Sequence, residues 1–155
     1  MTGASSGIGA ALAQILLEQG HQVALGGRHA ERLAPLAERF PGQVLLAIGD
    51  IDDPQQVAVI AARIEQAWGG LDMAILNAGT CEYLEPGHFD PAVVERVLRT
   101  NVLGASYCLA AALPLLRAGQ RPHLVVMGSS VSWLALPRAG AYGASKAAVR
   151  YLVES

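Results

Sequence analysis

Apolar residues gather along the chain in two rhythms. Short continuous runs at His21–Gly26, Gln43–Ile48, Asp72–Leu76 and His123–Met127 are bounded by glycine, aspartate or proline, which predicts strands buried on both faces. The longer stretches between them have helical spacing and predict helices over Ala10–Glu18, Ala30–Phe40 and Pro54–Trp68, from Pro91 toward Arg117, and over Tyr142–Ser155. Punctuation agrees with these bounds. Gly20 and Gly69-Gly70 suit helix stops, while Asp53-Pro54 and Asp90-Pro91 each offer a side-chain cap followed by a first-turn proline. Pro35 is expected to bend or break the second helix, and a bend is expected before Pro114 in the long one. Strands alternating with helices argue for a parallel sheet in an α/β domain. No linker, repeat or low-complexity tract divides the chain, so residues 1–155 read as one domain.

Composition narrows the function classes. With 52% hydrophobic and 15% charged residues, 155 positions suffice for one core. A net charge of −2 gives no electrostatic case for nucleic acid or an anionic membrane surface. The apolar stretch Cys108–Leu116 is too short to span a bilayer, and no signal peptide is read ahead of the glycine-rich start, so a cytoplasmic protein is expected. Cys81 and Cys108 lack metal-ligand spacing; they read as inert buried or loop thiols, and no metal site is expected.

Chemistry-bearing residues sit where the strands end. Thr2–Gly9 (TGASSGIG) has glycines at 3, 7 and 9, which suit a tight turn that brings backbone amides to a pyrophosphate at a helix N-terminus. Arg28, Asp50, Asn77 and Ser129 each follow a successive strand, at the sheet edge where ligands bind in open parallel α/β folds. Gly27-Arg28, with no acidic residue, favours the 2′-phosphate of NADP over NAD, although Arg28 also reads as a solvated loop residue. Ala78 and Gly79 are small enough to let the chain approach a cofactor. Tyr142 and Lys146 are one helical turn apart, so an ammonium beside the phenol would favour phenolate; alone, such a pair is more often a solvated surface pair. A hydroxyl at Ser129 could hold a carbonyl oxygen while the tyrosine protonates it. Ser130 is also a candidate, with capping of the next loop as its expected role. Asn101 lies on the stripe Val94, Val97, Leu98 and Val102, where an amide must find partners and backbone satisfaction is the plain alternative to a site role.

The segments YGASKAAV (142–149), TGASSGIG (2–9), Asn77-Ala78-Gly79 and TNVLG (100–104) together resemble the short-chain dehydrogenase/reductase family. The glycine spacing is that family's variant of the dinucleotide fingerprint; Leu76 stands where a second asparagine is frequent. The resemblance implies a Rossmann-like doubly wound parallel sheet with helices on both faces. It implies hydride transfer between NADP(H) and a small carbonyl or alcohol. Tyr142 would be the acid or base, Lys146 its electrostatic partner and the ribose ligand, Ser129 the substrate anchor, and Asn101 a support for the proton relay. Gly3, Ser5, Ser6, Gly7, Ile8 and Gly9 would hold the pyrophosphate; Asp50 and Ile51 would meet the adenine, the alternative for Asp50 being loop capping. A dimer or tetramer of the full-length protein is also implied. Only Met1 precedes Thr2, so the strand expected before the fingerprint is missing, which should leave a gap of roughly 9–10 Å in mid-sheet. The domain is therefore expected to be incomplete, and a truncated, catalytically silent nucleotide-binding fragment is the competing reading.

Overall fold

The computed structural model describes all residues, 1–155. In chain order the elements are α1 (Gly7–Glu18), β1 (Val23–Gly27), α2 (Ala30–Arg39), β2 (Val44–Ile48), α3 (Pro54–Trp68), β3 (Met73–Leu76), α4 (Pro91–Leu98), a π-helical turn (Arg99–Gly104), α5 (Ala105–Ala118), β4 (His123–Val126), a 3₁₀ turn (Ser130–Ser132) and α6 (Gly140–Glu154). Caps fall where the sequence places them. Asp53 accepts from the Gln55 and Gln56 amides, Asp90 accepts from the Ala92 amide, and Gly69 ends α3 at φ +74.

The helices carry three features beyond these caps, the last of which corrects an expected boundary. α2 runs unbroken from Ala30 to Arg39 with Pro35 inside it, so of the two outcomes expected there the break does not occur. Helix also continues through Pro114 in α5, and the long helix departs from α geometry at Arg99–Gly104, where a π turn inserts extra backbone. α1 starts three residues earlier than periodicity suggests, since Ala10 already donates to the Ser6 carbonyl.

β1 pairs parallel with β2, and β3 pairs parallel with β4, in two separate two-stranded sheets. Between them lies the position of a middle strand, and Met1 and Thr2 occupy only its carboxyl end. Met1 donates to the Ala24 carbonyl at 2.7 Å and accepts from Gly26 at 2.8 Å, which pairs it with β1. Thr2 donates to the Ile75 carbonyl of β3 at 2.9 Å. Below these two residues the inner edges of β1 and β3 face an open slot, as the sequence leads one to expect.

Helices cover both faces. Val23 and Leu25 pack with Ala13, Leu17 and Leu33 under α1 and α2, while Ala24 and Ala47 turn the other way to meet Ile64 of α3 and Leu115 of α5. Such two-sided burial is why the strands are apolar throughout rather than alternating. The continuous helical stretch Pro91–Ala118 is long and apolar enough to cross a membrane by length and composition, but its apolar stripe is used within the fold: α5 lies on β3 and α3, and α4 lies on α6. α6 and the π turn are thereby brought together at the carboxyl end of β3 and β4.

Candidate functional site

The glycine turn and the loop after β3 brace one another. Gly3 adopts φ +68 and lies so close to that loop that a Cβ would sit 2.8 Å from the Ala78 Cα. Thr2 Oγ1 accepts from the Asn77 and Ala78 amides at 3.0 Å each, and Asn77 Nδ2 donates to the Gly3 and Thr2 carbonyls at 3.1 and 3.3 Å. Gly9, in the first turns of α1, rests on the Gly3 carbonyl so tightly that any side chain would collide with it. Ser6 caps α1 with extended backbone and no side-chain cap bond, and Ile8 is 67% exposed. Amides at this helix start thus remain available to an anion.

A cleft of about 1310 Å³ runs along this edge. It is lined by Gly3, Ser5, Ser6, Ile8, Gly9, Arg28, Asp50, Ile51 and Asn77 to Gly79, and it continues beneath Thr2 into the slot between β1 and β3. Of the residues expected to hold a cofactor, Gly7, Tyr142 and Lys146 lie outside the lining. Arg28 and Asp50, at the ends of β1 and β2, form an exposed ion pair at 3.9 Å. Such a pair is weakly held, so the guanidinium is free to turn toward a phosphate. Asp50 also accepts from the Asp52 amide, so its capping role is present as well.

Lys146 is buried, at 7% exposed, and its Nζ donates to the Met127 carbonyl at 2.6 Å. Burial pushes its pKa below the usual lysine range. The ammonium lies 5.9 Å from the centre of the Tyr142 ring, which is half-buried one turn earlier on α6. Met127 is two residues before Ser129, so the lysine is anchored at the strand end that carries the serine. The capping assignment for the two serines is reversed from expectation: Ser129 Oγ accepts from the Val131 amide at 3.4 Å, and Ser130 is the first residue of the 3₁₀ turn. That contact is long, so it leaves the Ser129 hydroxyl weakly engaged.

Asn101 sits in the π turn at 2% exposed. Its Oδ1 accepts from the Thr80 amide at 2.7 Å, and its Nδ2 donates to the Thr80 carbonyl at 2.8 Å and to Ser145 Oγ at 2.9 Å. The side-chain amide is thus committed to protein partners. Sequence reasoning missed three contacts here. Ser145 carries no signal beyond its place before Lys146; Thr2 shows only as part of the glycine motif. Thr100 Oγ1 donates to Asp52 at 2.8 Å, tying the loop after β2 to the π turn, and no local pattern connects those two residues.

A parallel α/β layering with a glycine turn, small-residue loops and a helix-borne Tyr-Lys pair on one sheet edge defines a Rossmann-like domain. A family model described as short chain dehydrogenase matches residues 1–155. The chain belongs to the short-chain dehydrogenase family. An NADP-dependent 3-hydroxy acid dehydrogenase of Salmonella typhi is 36% identical over 156 residues, covering 97% of this chain and 61% of the relative. An uncharacterized oxidoreductase of Mycobacterium tuberculosis (strain CDC 1551 / Oshkosh) is 34% identical over 161 residues, covering 100% of this chain and 64% of the relative. Among solved structures, an alcohol dehydrogenase from the archaeon Thermococcus sibiricus, complexed with 5-hydroxy-NADP, aligns with a TM-score of 0.91 at 30% identity, over 99% of this chain and 67% of that one. The Pseudomonas aeruginosa RhlG/NADP active-site complex aligns at 0.88 and 32%, over 97% and 62%. The chain thus spans about 61% of the length of the first of these relatives.

Proposed function

We propose that this chain carries the cofactor cleft and proton-transfer residues of an NADP(H)-dependent oxidoreductase acting on a small carbonyl or alcohol. The observation that carries the reading is the placement of Lys146. It is buried beside Tyr142 and pinned to the strand end two residues before Ser129, on the edge that also bears the glycine turn. An exposed surface pair would have no such anchor.

The residues present fit a dinucleotide. Gly3 and Gly9 leave no room for side chains, the start of α1 offers free amides, and exposed Ile8 provides an apolar shelf. Gly3, Ser5, Ser6, Gly7, Ile8 and Gly9 would hold the pyrophosphate, Arg28 a 2′-phosphate, Asp50 and Ile51 the adenine side, and Asn77, Ala78 and Gly79 the approach to the nicotinamide. NADPH supplies the hydride when bound. For the protein's part, Ser129 Oγ holds the substrate oxygen and Tyr142 gives or takes its proton. The Lys146 ammonium favours the phenolate and offers its remaining protons to a ribose. Asn101 serves as a fixed support and not as a mobile relay group, because its amide is occupied. Exposed Trp133 and Leu134, just beyond Ser129, suit an apolar wall for the substrate. Exposed Leu103, Leu113 and Tyr151 on the long helix and α6 suit association with a second copy.

The test combines NADPH fluorescence titration with turnover of 3-hydroxy acids, other alcohols and their ketones. Tyr142→Phe should abolish turnover and leave NADPH affinity within about threefold, since only a hydroxyl is lost. Substantial residual turnover in that variant removes the tyrosine from its role. The open slot favours a second reading, a nucleotide-binding piece without turnover; NADPH binding by the wild-type chain with no rate on any substrate would select it.

A further inference from the structure

Ser145 is fully buried, at 0% exposed, yet its hydroxyl is engaged on both sides. Its Oγ accepts from Asn101 Nδ2 at 2.9 Å and donates to the Tyr142 carbonyl at 2.7 Å. Asn101 is held on its other side by the Thr80 amide and carbonyl. One amide and one hydroxyl therefore join three segments: the loop after β3, the π turn, and the first turn of α6.

Such a clamp matters most at a π turn. The inserted residue in a π turn can migrate along a helix or be lost to regular α geometry unless side chains fix its place. Asn101 is the residue so fixed here, and Tyr142 and Lys146 both flank the serine that completes the fixing. Gly79 shows how tightly the parts converge. A Cβ there would lie 3.1 Å from Asn101 Oδ1 and 3.7 Å from Lys146 Nζ, so the clamp and the lysine press on one point.

We propose that Ser145 is a positioning residue: its hydroxyl couples the Asn101 amide to the Tyr142 carbonyl and so sets the first turn of α6, with Tyr142 and Lys146, against the π turn. The inference rests on the reading of Tyr142 and Lys146 as the proton-transfer pair. Ser145 touches neither substrate nor cofactor in this scheme. Its removal lets the proton-transfer pair shift relative to a bound substrate that Ser129 still holds, so kcat falls and the KM for that substrate does not.

Two hydroxyl-free variants, Ser145→Ala and Ser145→Cys, separate hydrogen bonding from packing, because cysteine is close to serine in volume. Both should lower kcat by about tenfold, with KM for the carbonyl substrate within about twofold of wild type. Ser145→Ala combined with Asn101→Ala should be no slower than Asn101→Ala alone, since the serine acts through the asparagine. The Asn101 side-chain amide, followed by NMR on ¹⁵N-labelled protein, should exchange slowly in wild type and about tenfold faster or more in Ser145→Ala. Wild-type kcat in both single variants overturns the proposal, as does a double variant slowed by the product of the two single losses. Retained turnover in Tyr142→Phe would remove the underlying reading and the positioning role with it. The amide exchange result would then still report, separately, whether the clamp exists.

Discussion

Arg138 is the single non-glycine residue with positive φ, at +66, and it lies in the turn that leads into α6 and Tyr142. Left-handed backbone costs a residue with a Cβ about 1–2 kcal/mol. The turn holds because Arg138 clips two loops together: its carbonyl accepts from the Leu84 amide at 2.8 Å, its Nε donates to the Leu84 carbonyl at 3.1 Å, and its guanidinium pairs with Glu85 at 3.2 Å and lies 5.8 Å from the Tyr83 ring. Glycine and alanine at 138 both lose the side-chain contacts, which are half-exposed and together contribute about 1–2 kcal/mol. Both keep the backbone bond to Leu84. They differ in the strain, which glycine relieves by about 1–2 kcal/mol, and in the extra freedom glycine gives the unfolded chain, which costs about 0.4–1 kcal/mol. Arg138→Gly should therefore be more stable than Arg138→Ala by about 0.5–1 kcal/mol, the reverse of the order at an ordinary helical position. Urea unfolding followed by circular dichroism, with a slope of about 2 kcal/mol per molar, should place the glycine midpoint about 0.25–0.5 M above the alanine midpoint. An alanine variant as stable as the glycine variant, or more so, would refute the strain assignment.

Arg28→Ala should weaken NADPH binding by about ten- to a hundredfold and leave NADH binding almost unchanged, because the assigned partner is the 2′-phosphate; equal losses in titrations of both cofactors would sink that assignment. Burial pushes the Cys108 thiol up to about 11, so at pH 8 only about one molecule in a thousand carries its thiolate. An aromatic disulfide reagent at pH 8 should then titrate one thiol, exposed Cys81, in the native chain and two in denaturant, and rapid release of two from native protein would contradict the burial. Extending the chain ahead of Met1 by four apolar, β-branched residues should fill the slot between β1 and β3 and give a sharper, higher melt than the 155-residue chain; an unchanged melt would mean that the open edges cost little.

The layered fold was legible because its signals are local. Two-sided burial makes Val23–Gly27 and Met73–Leu76 apolar throughout, and Asp-Pro pairs mark the starts of α3 and α4. Tyr142 and Lys146 could be paired from spacing alone. The π turn could not, because Val97, Asn101, Gly104 and Cys108 keep an apparently helical interval through the insertion. Ser145, Thr80 and Asp52 contribute through contacts more than twenty residues distant in sequence, on which no local periodicity bears. Arg138 is illegible for another reason: nothing in Pro-Arg-Ala-Gly announces that arginine, and not the nearby glycine, takes the left-handed turn.

The division of the sheet has a bearing on how the site is assembled. Arg28 and Asp50 belong to the half built on β1 and β2, whereas Asn77, Ser129 and the Met127 carbonyl that anchors Lys146 belong to the half built on β3 and β4. No strand-to-strand hydrogen bonds join the halves directly. They are joined by Met1 to Gly3, which bond to Ala24 and Gly26 on one side and to Ile75, Asn77 and Ala78 on the other, by the Asp52–Thr100 bond, and by the packing of α3 on α5. The glycine turn is therefore both the proposed pyrophosphate seat and the main backbone strut between the two half-sheets. A dinucleotide seated on it would touch both halves at once, and any ligand that binds only the assembled arrangement stabilises it in proportion to its saturation. On the proposed reading cofactor affinity and half-sheet alignment would be linked: a cofactor that binds only the aligned half-sheets favours their alignment, and whatever favours the alignment raises its affinity by the same factor.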